Sequence, residues 1–102
     1  MSRPRTIPYQ KGQEKMIDKI WFNPSTAVTI ATVTFNNGYV DQTRTLLKNK
    51  NNVYFLLVED PTYTDLFLCN SWDVKWFIKD FKDILTVKDQ PSYQQLLLKY
   101  DN

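Results

Sequence analysis

Trp72 and Trp76 stand four residues apart in a charged stretch, with Lys75 and Lys79 beside them. On a helix advancing about 100° per residue, positions four apart are neighbours on one face. The two indoles would then lie together on the side opposite the apolar stripe, with Lys79 and Asp83 continuing their line and Lys75 next to it. Rings of that size are costly to leave wet. Three covers are conceivable. The chain can cover the rings itself, with residues 93–100 or 16–22 laid across them. A protein partner or a second copy can take them, since tryptophan is enriched among the residues that carry interface energy. A nucleic-acid base can stack on them while the lysines attract phosphate. The candidate partner-binding residues are Trp72, Trp76, Lys75 and Lys79.

A second constellation is basic: Arg3, Arg5, Lys11, Lys15, Arg44, Lys48 and Lys50, with Lys19 among them and Tyr9 and Trp21 interleaved. Residues 1–50 hold eight basic and three acidic side chains and residues 51–102 five and eight, although the whole chain is only +2. A basic half can meet an anionic partner while an acidic half keeps the molecule apart from its neighbours. This set is the nucleic-acid-binding alternative. No helix-turn-helix, RNP or zinc-finger pattern accompanies it, and Glu14 and Asp18 dilute it.

Catalytic chemistry finds little material. There is no His, which removes the commonest general base, and Cys69 alone can build neither a usual zinc site nor a disulfide within the chain. Glu59, Asp60, Asp65 and the spaced pairs Asp73/Lys75 and Asp80/Lys82 would suit a metal-dependent nuclease only if they converged. On a helix, positions two apart point away from each other. Turn and surface roles explain these acids more simply. Gly12 and Gly38 are isolated, so no phosphate-cradling loop is formed. The expectation is no catalytic residue, no metal and no cofactor, with Cys69 a structural thiol.

The elements that must position these residues fit a single domain. The 102 residues, 42% hydrophobic and 15% aromatic, suffice for one core. Residues 1–15 read as a flexible basic arm and residues 16–102 as the folded domain. Residues 19–22 form a short apolar run, read as an edge strand and stopped by Asn23, Pro24 and Ser25. Residues 27–35 are rich in Val, Ile and Thr, and Asn37-Gly38 has the residue types of a two-residue hairpin turn. That turn would set Phe35 opposite Val40, Val33 opposite Gln42 and Thr32 opposite Thr43. Val33, Phe35 and Val40 would face the core and the threonines and Asp41 the water. A change of apolar phase suggests a bulge near Ala31.

Residues 53–58 are apolar on both alternating sets, as a central strand covered on both faces must be. After a turn at 59–62, residues 65–69 make a further strand. Asn70 or Ser71 can cap a helix over 71–85, its stripe formed by Val74, Phe77, Ile78, Phe81, Ile84 and Leu85. A short helix over 91–100 would share Tyr93, Leu96, Leu97 and Tyr100 on one face. Sequential strands with short links favour an antiparallel meander of four to five strands, one packed amphipathic helix and a short C-terminal helix, an α+β fold.

The functional expectation is a small non-enzymatic binding protein acting through protein–protein contacts, as a homodimer or on a larger target. Nucleic-acid binding is the alternative and a metal-dependent nuclease a minor one. The longest uncharged stretch, residues 20–40, is broken by Pro24, Gly38 and several polar groups and does not read as a membrane span. A lone Cys and no visible secretory signal fit the cytoplasm. The Lys and Asn bias accords with an AT-rich genome such as those of many viruses and phages, in which case the cytoplasm is the host's.

Overall fold

A computed structural model describes residues 9–100. Arg3 and Arg5, from the expected basic set, lie outside the described residues.

The chain opens with a small hairpin, β1 (Lys15–Ile17) and β2 (Ile20–Phe22), paired antiparallel in a sheet of its own. Then come β3 (Val28–Asn36), β4 (Asp41–Lys48), β5 (Tyr54–Asp60), β6 (Tyr63–Cys69), helix α1 (Ser71–Phe81), the two-residue β7 (Thr86–Val87) and helix α2 (Gln90–Tyr100). The main sheet has the order β6-β5-β4-β3-β7, antiparallel throughout. It is a four-strand meander to which β7 adds a fifth strand beyond β3, so the fold is α+β. β5 is an interior strand, although β4 holds the middle.

Cross-strand partners share a face, so the register sorts the side chains. One face carries Ala31, Val33, Leu46, Leu56 and Cys69, and it packs against Val74, Phe77 and Ile78 of α1 and Tyr93 and Leu96 of α2. On the other face Leu47, Phe55, Leu57 and Leu66 form a second core with Phe22 and Tyr9. β5 is thus sandwiched, as its doubly apolar run requires. Burying Tyr9 changes the picture of an arm over residues 1–15: its hydroxyl donates to the Gln13 carbonyl at 2.7 Å, its ring sits edge-on to Phe22, and Lys15 begins β1. Residues 19–22 do not join the main sheet; they pair with β1, of which only Lys15 belongs to that expected arm.

The β3–β4 connection corrects the expected register. Asn36 faces Asp41, Phe35 faces Gln42 and Thr34 faces Thr43, leaving four residues in the loop. Side-chain amides explain the longer turn: the Asn36 Oδ1 accepts the Gly38 N–H, and the Asn37 Oδ1 accepts those of Tyr39 and Val40. A slip of two residues preserves which face each side chain takes, so Val33 and the threonines lie as expected. Val40 leaves the core face for the loop.

The bulge falls between Thr29 and Ala31, where Ile30 and Ala31 are both fully buried. The Ile30 carbonyl, freed from the β4 ladder, accepts the N–H groups of Lys88 at 2.8 Å and Asp89 at 3.1 Å. Asp89 in turn accepts the Ser92 hydroxyl on its side chain and the Tyr93 N–H on its carbonyl, opening α2.

α1 is shorter than its stripe suggests. Asn70 and Asp73 form a reciprocal cap, each side chain accepting the other's N–H at 2.9 Å. The helix ends at Phe81, whose carbonyl accepts the N–H groups of both Ile84 and Leu85 as the chain turns towards β7. Ile84 is therefore exposed rather than part of the stripe, and Asp83 does not extend the Trp72/Trp76 line.

Candidate interaction surface

The reciprocal cap fixes where α1 starts, and burial of Val74, Phe77 and Ile78 fixes its rotation. Together they turn Trp72 and Trp76 outward. The indole planes are 15° apart with centroids at 6.3 Å, a stacked pair. The Lys75 ammonium lies 5.2 Å from the Trp72 ring and the Lys79 ammonium 5.8 Å from the Trp76 ring. The four residues expected to act together are thus brought together. Each cation is held over the face of a π-system by the ring quadrupole.

Trp72 is 63% exposed and Trp76 49%. Neither segment that could have covered them does. The β1–β2 hairpin packs with the core on the opposite face of the sheet. α2 reaches the pair only at its last residue, where Tyr100 borders a shallow cleft with Ser71, Trp72 and Lys75.

Beside Trp76 the surface continues as a groove of about 350 Å³ between α1 and the β6 side of the sheet. Its apolar lining includes Trp76, Phe81, Leu56 and Phe67, and Phe67 is 45% exposed. Asp73 and Asp80 line it from the helix. At the C-terminal end of the helix the Arg44 guanidinium sits 5.1 Å from the Phe35 ring and 5.7 Å from Phe81, with its Nε–H donating to the Gln42 Oε1 at 2.8 Å. Phe67 was not singled out in the sequence, because a single aromatic in an apolar strand carries no mark of being outward. Its signal is positional: β6 is an edge strand, with a neighbour on one side only.

The open side of β6 is itself modified. Asp60 and Tyr63 close a two-residue turn, so alternation aims the N–H groups of Thr64, Leu66 and Leu68 away from β5. The middle one is occupied: the Asp65 carboxylate accepts the Leu66 N–H at 2.8 Å and the Tyr63 hydroxyl at 2.7 Å. That hydrogen bond holds the Tyr63 phenol above its ordinary range, with burial and the nearby carboxylates adding to it.

The basic set is not gathered into one patch. Arg44 is engaged with aromatics on the helix side of the sheet, and Lys11 pairs with Glu59 at 3.5 Å. Lys15 belongs to β1 and Lys48 ends β4. Six residues of nearly extended chain, roughly 20 Å, separate Arg44 from Lys50. Lys50 instead lines a pocket with Lys19 and Trp21.

The acids have structural partners too. Asp60 accepts from the Thr62 N–H and hydroxyl, Asp65 is tied to Tyr63 and Leu66, and Asp73 caps α1. Among the described residues no three His, Cys, Asp or Glu side chains are clustered as a metal site would need. Burial, with Asp73 nearby, pushes the Cys69 thiol up to about 12, so it stays protonated and a poor nucleophile. Among the described residues no helix is long and apolar enough to cross a membrane. No family model, curated protein or solved structure matches the chain.

Proposed function

We propose that this protein is a non-enzymatic binding module that engages another protein, either a second copy or a larger target, through the outer face of α1 and the adjoining groove. The observation that carries this reading is the stacked Trp72/Trp76 pair, about half or more exposed, which among the described residues only Tyr100 of α2 borders from another element. Apolar rings at the centre with charged groups at the margin are how protein interfaces are built. Here Trp72, Trp76 and Phe67 supply the rings, and Lys75, Lys79, Asp73 and Asp80 the margin. Both charge signs border the rings, which suits a protein surface of mixed charge better than a uniformly anionic polymer.

Two measurements test it. Sedimentation equilibrium up to roughly 1 mM, where even a weak dimer forms, should show self-association that Trp76→Ala with Phe67→Ala abolishes. If the protein stays monomeric, a photo-crosslinker at position 79 in its native cell should give a discrete protein adduct that is lost when Trp72 and Trp76 are replaced by Ala. A strict monomer with no such adduct rejects the proposal.

A further inference from the structure

Beside the loop that joins β4 to β5, the β1–β2 hairpin and two loops enclose a pocket of about 430 Å³. It exceeds the groove beside Trp76 in volume and has no part in the reading above. Its lining brings together Lys19, Trp21, Asn23, Asn49, Lys50 and Asn51, and no carboxylate lines it. Trp21 is 49% exposed. We infer that this pocket binds a nucleoside phosphate, the base stacking on Trp21, phosphate held by Lys19 and Lys50, and the asparagine amides hydrogen-bonding the polar edge of the base.

Three observations carry the inference. The first is unspent polarity. The Asn23 and Asn49 carbonyl oxygens are used within their own loops, accepting from Ser25 and from Asn51 and Val53. That orients each amide and leaves its N–H₂ group without a partner among the described residues. The second is charge. Lys19 and Lys50 have no ion-pair partner among the described residues, so two cations converge on one cleft uncompensated. A neutral sugar would give them nothing to bind, whereas a phosphate would. The third is the flat apolar ring of Trp21 in the same lining, which accepts any planar base.

The backbone adds weight. Asp18 and Lys19 both take left-handed conformations, with φ of 48° and 68°. That region suits Asn, Asp or Gly better than it suits a lysine. At position 19 a residue of poor local fit carries a cation to the mouth of the pocket.

The source of the ligand, a free nucleotide or a nucleotide unit of a single strand, is decided by experiment. Equilibrium dialysis of dTMP, and fluorescence anisotropy of a labelled short oligothymidylate at low salt with unlabelled dTMP and thymidine as competitors, together read both. Displacement by dTMP assigns a free nucleotide; binding of the oligomer with no displacement by dTMP assigns a strand. Trp21→Ala should weaken binding roughly 5- to 100-fold. Lys50→Ala and Lys19→Asn should each flatten the logarithmic salt dependence by about 0.7 for the strand. Lys19→Asn should do so while leaving the urea midpoint unchanged or raised, because Asn tolerates that φ, and this separates lost binding from lost folding. No binding of either ligand at low salt overturns the inference. So does equal competition by uncharged thymidine, or binding that survives Trp21→Ala and is instead lost with Trp72→Ala and Trp76→Ala. Neither result bears on the oligomeric state, so the two readings stand or fall separately.

Discussion

The Asp65 carboxylate accepts the N–H of its own neighbour Leu66 at 2.8 Å, on the side of β6 that has no neighbouring strand. An unpaired strand edge invites other chains to add to it, and an inward-turned charge is one way of preventing that. Here one carboxylate both fills the central donor of the edge and holds the Tyr63 hydroxyl. Asp65→Ala should cost about 2–4 kcal/mol in urea unfolding, two hydrogen bonds to a charged acceptor being lost. It should also raise light scattering on standing, because the Leu66 N–H becomes available. Unchanged scattering together with unchanged stability would remove Asp65 from this role.

The tryptophan pair and the core phenylalanine of the same helix should separate cleanly. Trp72→Ala and Trp76→Ala remove stacking and a cation–π contact from an exposed face, so each should change folding stability by less than about 1.5 kcal/mol. Phe77→Ala opens a hole in the core beneath and should cost about 3–5 kcal/mol. Chemical denaturation of the three variants checks the contrast, and a tryptophan variant as damaging as Phe77→Ala would show that the indoles hold the fold together.

At the other end of α1, Asn70→Ala should lose about 0.5–2 kcal/mol, since its side chain accepts the Asp73 N–H at 2.9 Å. Asn70→Asp, which keeps the acceptor, should retain most of that stability. Thermal denaturation by circular dichroism compares the pair.

Alkaline pH should weaken the fold through Cys69. Its thiol titrates at 9.0 when unburied and is pushed up to about 12 in the folded chain, so the folded state favours the protonated form. The stability linked to it is fully present below pH 9.0, falls as pH rises past that value, and is gone above about 12. Tyr63, also raised from 10.0, acts in the same direction. Urea midpoints measured from pH 7 to 11 should decline from near pH 9, and Cys69→Ala should flatten the first part of that decline.

What could be read from the residues alone divides along physical lines. The bulge near Ala31, the doubly covered strand expected over 53–58 and the outward turn of Trp72 and Trp76 follow from periodicity, which burial enforces directly. The features misread depend on competition between local partners. Asn37-Gly38 carries the residue types of a tight turn, yet the Asn36 and Asn37 amides bond the loop backbone and open it to four residues. The stripe in α1 runs on to Leu85, but Thr86 and Val87 find the free edge of β3, and the helix stops at Phe81 to let them reach it. Tyr9 gave no sign of burial, because its pocket is made by Phe22, Leu47, Leu57 and Leu66 from four separate strands. The second pocket was equally hidden: Trp21, Lys19 and Lys50 were visible as separate residues, but their meeting depends on how the loops fold over.

The carbonyl of Ile30 has one further implication. Because a strand irregularity is what receives the backbone of Lys88 and Asp89, the last helix is moored to the middle of the molecule through the main chain, whatever side chains surround it. Removing a single residue at that kink would mend the ladder and take this mooring away, leaving α2 held by the packing of side chains such as Tyr93 and Leu96, so an apparent flaw in the weave is a stitch that closes the garment.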